Sequence, residues 1–131
     1  GLQIPSEMQG KSFKEALNGN DKNERKSVYY HYYEYPIWHK VQPHYGVKTD
    51  RYKLMHFYYS MDEWELYDLK TDPNEMHNIY SEAPKELIES LKKELEVLRK
   101  EYKDDGSMEE MRKMTDTVIQ RVYNEPDKLM K

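Results

Sequence analysis

Residues 27–69 read SVYYHYYEYPIWHKVQPHYGVKTDRYKLMHFYYSMDEWELYDL, and this stretch holds ten of the thirteen tyrosines, both tryptophans and four of the five histidines. Aromatic and β-branched side chains fit a pleated, half-buried surface, so strands are expected here. Residues 27–35 predict a first strand, with Tyr29, His31, Tyr33 and Tyr35 on one face and Val28, Tyr30, Tyr32 and Glu34 on the other. Pro36 closes it, and 37–43 form an irregular loop carrying Trp38, His39 and Gln42. Residues 44–49 predict a second strand, Asp50-Arg51 a tight turn, 52–59 a third strand and 64–69 a fourth. Connections this short imply antiparallel hairpins. In the third strand Leu54, His56 and Tyr58 oppose Met55, Phe57 and Tyr59, so neither face is plainly polar. A sheet of this kind needs cover on both sides: a helix can supply one, and a second partner must supply the other.

Outward from the sheet the pattern turns helical. Thr71-Asp72-Pro73-Asn74-Glu75 is a turn signal, followed by a helix capped near Ser81 with Pro84 in its first turn. Leu87, Leu91, Leu95, Leu98 and Tyr102 recur at helical spacing and give that helix an apolar stripe for the sheet. Asp104-Asp105-Gly106 breaks it, and Ser107 caps a second helix to about Tyr123, with a weaker stripe of Met111, Met114, Val118, Ile119 and Val122. Residues 124–131 read as a frayed end. Upstream, Ser12 caps a short helix through Leu17, Gly19 suits its C-cap, and 18–23 is a polar loop. The expected class is α+β: a four-stranded antiparallel sheet with a C-terminal helix packed on one face, plus a further C-terminal helix. The expected division is a linker at 1–24, a sheet-and-helix unit at 25–105 and a helical extension at 106–131.

A length of 131 residues suits one domain. Its 37% hydrophobic share lies below the roughly 45–50% usual for a free-standing unit, so some apolar surface is expected to be completed by another body. A net charge of −4, with Lys and Arg interleaved with Glu and Asp, argues against a nucleic-acid partner. No apolar run is long enough for a membrane span. The chain starts at Gly1 without a leader, so it reads as trimmed, and localisation is not legible from it. Cysteine is absent, which removes disulfides, thiolate zinc sites and cysteine nucleophiles together.

The histidines lack the spacing of a metal site: no H-x-H or H-x-x-x-H pair occurs. His31 and His56 read as packed, hydrogen-bonded strand residues, and His77 as a turn residue. His39 and His44 flank an irregular loop beside Trp38 and Tyr45, where a ring nitrogen and stacking aromatics suit a sugar or anion. The competing reading is a loop pinned by aromatic packing alone. Lys48, Arg51 and Lys53 form a cationic patch around a turn, which reads either as an anion contact or as a solvated hairpin end. No Ser-His-Asp order, glycine-rich phosphate loop or glycosidase carboxylate pair can be assembled.

Three segments carry a family resemblance: MQGKSF at 8–13, HYGVKTDRYKL at 44–54 and, most specific, ELYDLKTDPNEMHNI at 65–79. Over residues 8–105 the chain resembles the C-terminal subdomain of type I, formylglycine-dependent sulfatases of the alkaline-phosphatase-like superfamily, especially bacterial enzymes acting on glycosaminoglycans and related sulfated sugars. The resemblance implies a sheet-and-helix subdomain that docks on an N-terminal catalytic domain and lends loops to its substrate rim. It implies calcium and a formylglycine, made from Cys or Ser in C/S-x-P-x-R, in that missing domain, and no cofactor in this fragment. With no cysteine and no serine in that context, the fragment alone is expected to be inactive. By resemblance His39, His44, Lys48 and Arg51 are the candidate contacts to a sulfated carbohydrate. Relatives commonly read G-V-R-T where this chain has Gly46-Val47-Lys48-Thr49, and Lys keeps the charge without the bidentate fork of Arg. A periplasmic or secreted setting is expected from the family. An exposed docking face invites homodimers in an isolated fragment. Two rivals stand beside this reading, a self-contained carbohydrate-binding or interaction module and a purely structural clamp.

Overall fold

The computed structural model describes residues 4–5, 7–10, 12–19, 25–36 and 39–124. Trp38, most of the polar loop at 18–23 and the expected frayed end from 125 lie outside the described residues.

Four strands form one antiparallel meander in chain order: β1 (Ser27–Tyr32), β2 (His44–Thr49), β3 (Tyr52–Phe57) and β4 (Glu63–Asp68). The register pairs Tyr29 with Val47, Val47 with Leu54 and Leu54 with Leu66, so these side chains form one row across the sheet. Every second residue shares that face. It collects Tyr45, Val47, Leu54, Tyr58 and Leu66, all buried. The β2–β3 hairpin is tied by Thr49, whose Oγ1 accepts the Tyr52 N–H at 2.9 Å. Across the same end, Arg51 grips Asp68, with Nη2 2.8 Å from Oδ2.

The helix α2 (Lys85–Glu101) lies on this face and buries Leu91, Leu95 and Leu98 against it. Fully burying one leucine of this kind is worth about 1.5–3 kcal/mol, so the spacing alone secures the helix to the sheet. α2 starts later than the Ser81 cap expected from sequence. Residues 79–83 instead close a tight turn, with the Ala83 N–H donating to the Ile79 carbonyl at 2.8 Å, and Pro84 at ψ 136° is the last non-helical residue. A short helix, α1 (Lys14–Leu17), follows Ser12 and buries nothing. After Asp104-Asp105-Gly106 the final helix α3 (Met108–Asn124) begins with a reciprocal cap. The Ser107 N–H donates to Glu110 Oε2 at 2.8 Å, and the Glu110 N–H donates to Ser107 Oγ at 3.2 Å.

The Asp-Pro-Asn-Glu turn and Asn78 finish the free edge of β4. Asn78 Oδ1 accepts the Leu66 N–H at 3.0 Å, and the Ile79 N–H donates to the Leu66 carbonyl at 2.9 Å. An edge paired in this way is closed to further strands. Among the described residues, no helix is long and apolar enough to cross a membrane.

Candidate functional site

The second face of the sheet carries Val28, Tyr30 and Tyr32 from β1, His44, Gly46 and Lys48 from β2, Lys53, Met55 and Phe57 from β3, and Glu63, Glu65 and Tyr67 from β4. No described helix packs on it: α2 and Met111 of the final helix pack on the opposite side. Val28, 45% exposed, and Lys48 stay open here while Met55 is buried, so the face is semi-apolar and partly open.

His44 is the functional candidate that this face builds best. As the first residue of β2 it stands where the loop enters the sheet. Its Nδ1–H donates to the Gln42 carbonyl at 2.9 Å, which fixes the proton on that nitrogen and leaves Nε2 as an acceptor. Nε2 has no partner among the described residues. The ring is held by aromatic neighbours: Tyr32 stacks at 5.4 Å and 19°, Phe57 lies 4.9 Å away, and Tyr30 meets it edge-on at 6.0 Å. This is an oriented imidazole in an aromatic frame, with one nitrogen unpartnered among the described residues.

Of the other candidates, Lys48 shares the face and is exposed. It sits four residues along the strand from His44, roughly 13 Å at strand rise. His39 is exposed in the loop before β2. Arg51 is not brought to the face: it lies at the β2–β3 turn, held by Asp68 and by the Tyr52 ring, 4.9 Å from its guanidinium. That guanidinium also holds the Asp68 carboxyl below the usual carboxylate range. Lys53, read as part of the same cationic patch, pairs with Glu75 at 2.5 Å and lies 5.8 Å above the Tyr30 ring. The patch is therefore dispersed: two cations are committed to carboxylates, and Lys48 remains.

The hydroxyls of Tyr30 and Tyr32 are shielded from solvent and have no hydrogen-bond partner among the described residues. Such a group is worth about 1–3 kcal/mol of lost solvation when nothing replaces the water. Burial, then Glu75 and Glu65, push the Tyr30 phenol well above its ordinary range, so it stays protonated and able to donate.

Beneath α2 and α3 lies a second polar cluster that no short sequence pattern announced. His31 Nδ1 lies 2.6 Å from Asp104 Oδ2, and His31 Nε2 lies 2.8 Å from the Tyr58 hydroxyl. His56 repeats the arrangement, with Nε2 2.7 Å from Asp62 Oδ1 and Nδ1 2.9 Å from the Tyr45 hydroxyl. The order carboxylate, imidazole, hydroxyl is that of an activated nucleophile. The hydroxyls rule out that use: Tyr45 and Tyr58 are 5% and 2% exposed, so no substrate reaches them. Burial also pushes the Tyr58 phenol up to about 12, which leaves it neutral. Asp104 Oδ2 receives two further hydroxyls, Tyr29 at 2.5 Å and Tyr33 at 2.9 Å. Although burial alone would raise this carboxyl, its donors bring it below the usual range. These relays are structural. The expectation that His31 and His56 are packed, hydrogen-bonded residues agrees with this geometry.

Comparison with known proteins places this arrangement in a context. Residues 1–101 match the family described as N-sulphoglucosamine sulphohydrolase, C-terminal. The chain is 47% identical over 113 residues to an N-acetylglucosamine-6-O-sulfatase of Bacteroides thetaiotaomicron, covering 80% of this chain and 20% of that protein. It is 27% identical to an uncharacterized protein of Haemophilus influenzae, over 73% of this chain and 50% of the relative. Its fold superposes with a TM-score of 0.77 on a protein solved with its substrate D-glucosamine-2-N,6-O-disulfate, at 45% identity, covering 82% of this chain and 23% of that one. A 2-O GAG sulfatase superposes with a TM-score of 0.65 at 27% identity, over 79% of this chain and 22% of its own. The chain therefore spans about a fifth of the length of the sulfatases it matches.

Proposed function

Because this chain belongs to the N-sulphoglucosamine sulphohydrolase C-terminal family, we propose that it is the non-catalytic C-terminal part of a sulfatase, docked on a catalytic domain through its open sheet face and presenting His44 to a sulfated amino sugar. The observation that carries the site is the oriented His44 ring, with Nδ1 committed to Gln42 and Nε2 unpartnered among the described residues. The relative solved with D-glucosamine-2-N,6-O-disulfate supports a sulfated glucosamine as the substrate class.

The division of labour follows from the residues. The formylglycine and calcium that the resemblance implies do not fit this chain. It has no cysteine, and no serine stands in an S-x-P-x-R context. Among the described residues, no cluster of three or more His, Asp or Glu is arranged to hold a metal. Both belong to the catalytic domain, and the chemistry of ester cleavage goes with them. What this chain supplies is binding and orientation. His44 places a ring nitrogen, and Lys48 a positive charge, on one face. His39 adds a donor from the loop, whereas Arg51 acts mainly by fixing the hairpin through Asp68. The Tyr30 and Tyr32 hydroxyls suit polar groups brought by the catalytic domain.

The test is His44→Ala in the sulfatase that carries this chain. Nε2, as an acceptor, suits a sugar hydroxyl or amine N–H, and a neutral hydrogen bond is worth about 0.5–1.5 kcal/mol, so kcat/KM for a sulfated glucosamine should fall on the order of several-fold, with the unfolding midpoint nearly unchanged. Equal kinetics in variant and parent would remove His44 from recognition while leaving the family assignment intact.

A further inference from the structure

α3 lies beyond residues 1–101, the part shared with the family. Its hold on the sheet is only partly apolar: Met111 and Thr115 are its buried residues, and Met114 is 58% exposed. Polar side chains do the rest. Arg112 Nε donates to the Tyr58 carbonyl at 2.7 Å, and its Nη2 lies 3.6 Å from Asp62 Oδ2. One turn on, Asp116 Oδ1 accepts the Tyr59 hydroxyl at 2.6 Å. Arg112 and Asp116 are four apart and so share one helix face. The start of the helix is set as firmly, because Arg99 donates to the carbonyls of Asp104 at 2.9 Å and Gly106 at 2.8 Å.

All the grips from Arg112 and Asp116 land on residues 58–62, just beyond β3. That segment in turn holds the loop that enters β2. The Tyr58 N–H donates to the Pro43 carbonyl at 3.3 Å, Ser60 Oγ donates to Gln42 Oε1 at 2.7 Å, and the Tyr59 ring lies 5.7 Å from that of Tyr35. Gln42 then orients His44 through its carbonyl. A continuous path of packed and hydrogen-bonded groups thus joins α3 to the imidazole, the kind of contiguous network that carries such coupling.

We propose that α3 is a positioning strap: by clamping residues 58–62 through Arg112 and Asp116, it sets the orientation of the His44 ring, so that a helix outside the family region tunes the sulfated-sugar site. The functional consequence rests on the reading of His44 given above; the strap itself does not. Arg112 and Asp116 are positioning residues, acting through the loop and touching no substrate.

The direct test is the imidazole of His44 observed by NMR in the 131-residue chain. Tyr59→Phe removes the hydroxyl that Asp116 holds and keeps the ring on Tyr35, and Arg112→Met removes the donors and keeps an apolar stem. Both variants should shift the His44 ring resonances while the amide signals of α2 and the sheet stay in place. Unmoved His44 resonances in either folded variant would overturn the strap. In the full sulfatase, Tyr59→Phe should raise KM for a sulfated glucosamine about threefold with kcat held, and should add nothing in a His44→Ala background. A KM effect that persists undiminished without His44 also overturns it. If His44→Ala alone leaves kinetics unchanged, the recognition reading falls, and the ring resonances still decide the strap.

Discussion

At Gly46 the missing side chain is what lets Tyr30 lie across the open face of the sheet. A Cβ built there would collide with the carbonyl oxygen of Leu54 and stand 2.5 Å from the Tyr30 hydroxyl oxygen. The backbone oxygen belongs to a paired strand and has nowhere to move. Gly46→Ala is therefore expected to destabilise the chain by about 1–3 kcal/mol, read as a lower denaturant midpoint at unchanged slope. Adding Tyr30→Ala should recover little of this, since the Leu54 contact is to the main chain. The glycine was visible in the 44–54 segment, but its reason was not. The same holds for His31. Its packed, bonded state could be read from an aromatic strand, whereas its partner Asp104 lies 73 residues away and only the α2–α3 linker brings it near.

Among the elements, the helices and strands arise as the periodicity predicts, and the differences lie at their ends. β1 stops at Tyr32 rather than residue 35 because β2 begins at His44, and Tyr32–His44 is the last pair the ladder can form. Beyond it Tyr33 leaves the sheet to reach Asp104. β3 likewise stops at Phe57, opposite Glu63, and the following residues turn to serve α3. Strand length is set by the partner, which a single strand does not encode. The two Asp–His–Tyr relays give these elements a pH response. Burial, more than any nearby charge, pulls both His31 and His56 below the ordinary histidine value, against the opposing effects of Asp104 and Asp62; Arg99 adds to the downward shift on both rings, as do His44 on His31 and Lys92 on His56. A histidine held neutral in the folded state binds fewer protons there than in the unfolded chain. Its contribution is full above about pH 6.5, the unfolded value, and is lost as pH falls toward the lowered folded value. The thermal midpoint should accordingly be flat above about pH 7 and decline from about pH 6.5 downward. In the His31→Gln, His56→Gln double variant this decline should flatten, leaving the acid loss that begins below about pH 4 as carboxylates such as Asp104 protonate.

For the whole molecule, the two faces of the sheet have different fates. One is closed by α2, whose buried leucines meet Val47, Leu54 and Leu66. The other is the surface we assign to the catalytic domain. Val28, 45% exposed and paired across the ladder with Lys48, offers a clean probe. Val28→Asp gains a cation beside it and should leave the fold of the chain intact, yet it introduces a charge into the proposed interface. Affinity for the separately produced catalytic domain should fall at least about tenfold by calorimetry, the effect of about 1.4 kcal/mol. Unchanged binding would move the interface elsewhere. A second copy of the chain is the competing occupant of that face, and sedimentation of the chain alone, with and without Val28→Asp, separates the two.

By itself the sequence determined what depends on neighbours along the chain. Alternation assigned the two faces of the first and third strands, the leucine spacing assigned the buried side of α2, and Ser107 marked the start of α3. The tertiary structure alone decided what depends on contacts between distant segments. It gathered Asp104 and Asp62 onto the buried histidines, drew Arg51 and Lys53 away into ion pairs, left His44 oriented with Nε2 unpartnered among the described residues, and tied α3 to the loop before β2. Periodicity is a property of local backbone geometry and survives in one dimension. The pairing of polar groups is decided by burial, and that exists only once the chain has folded.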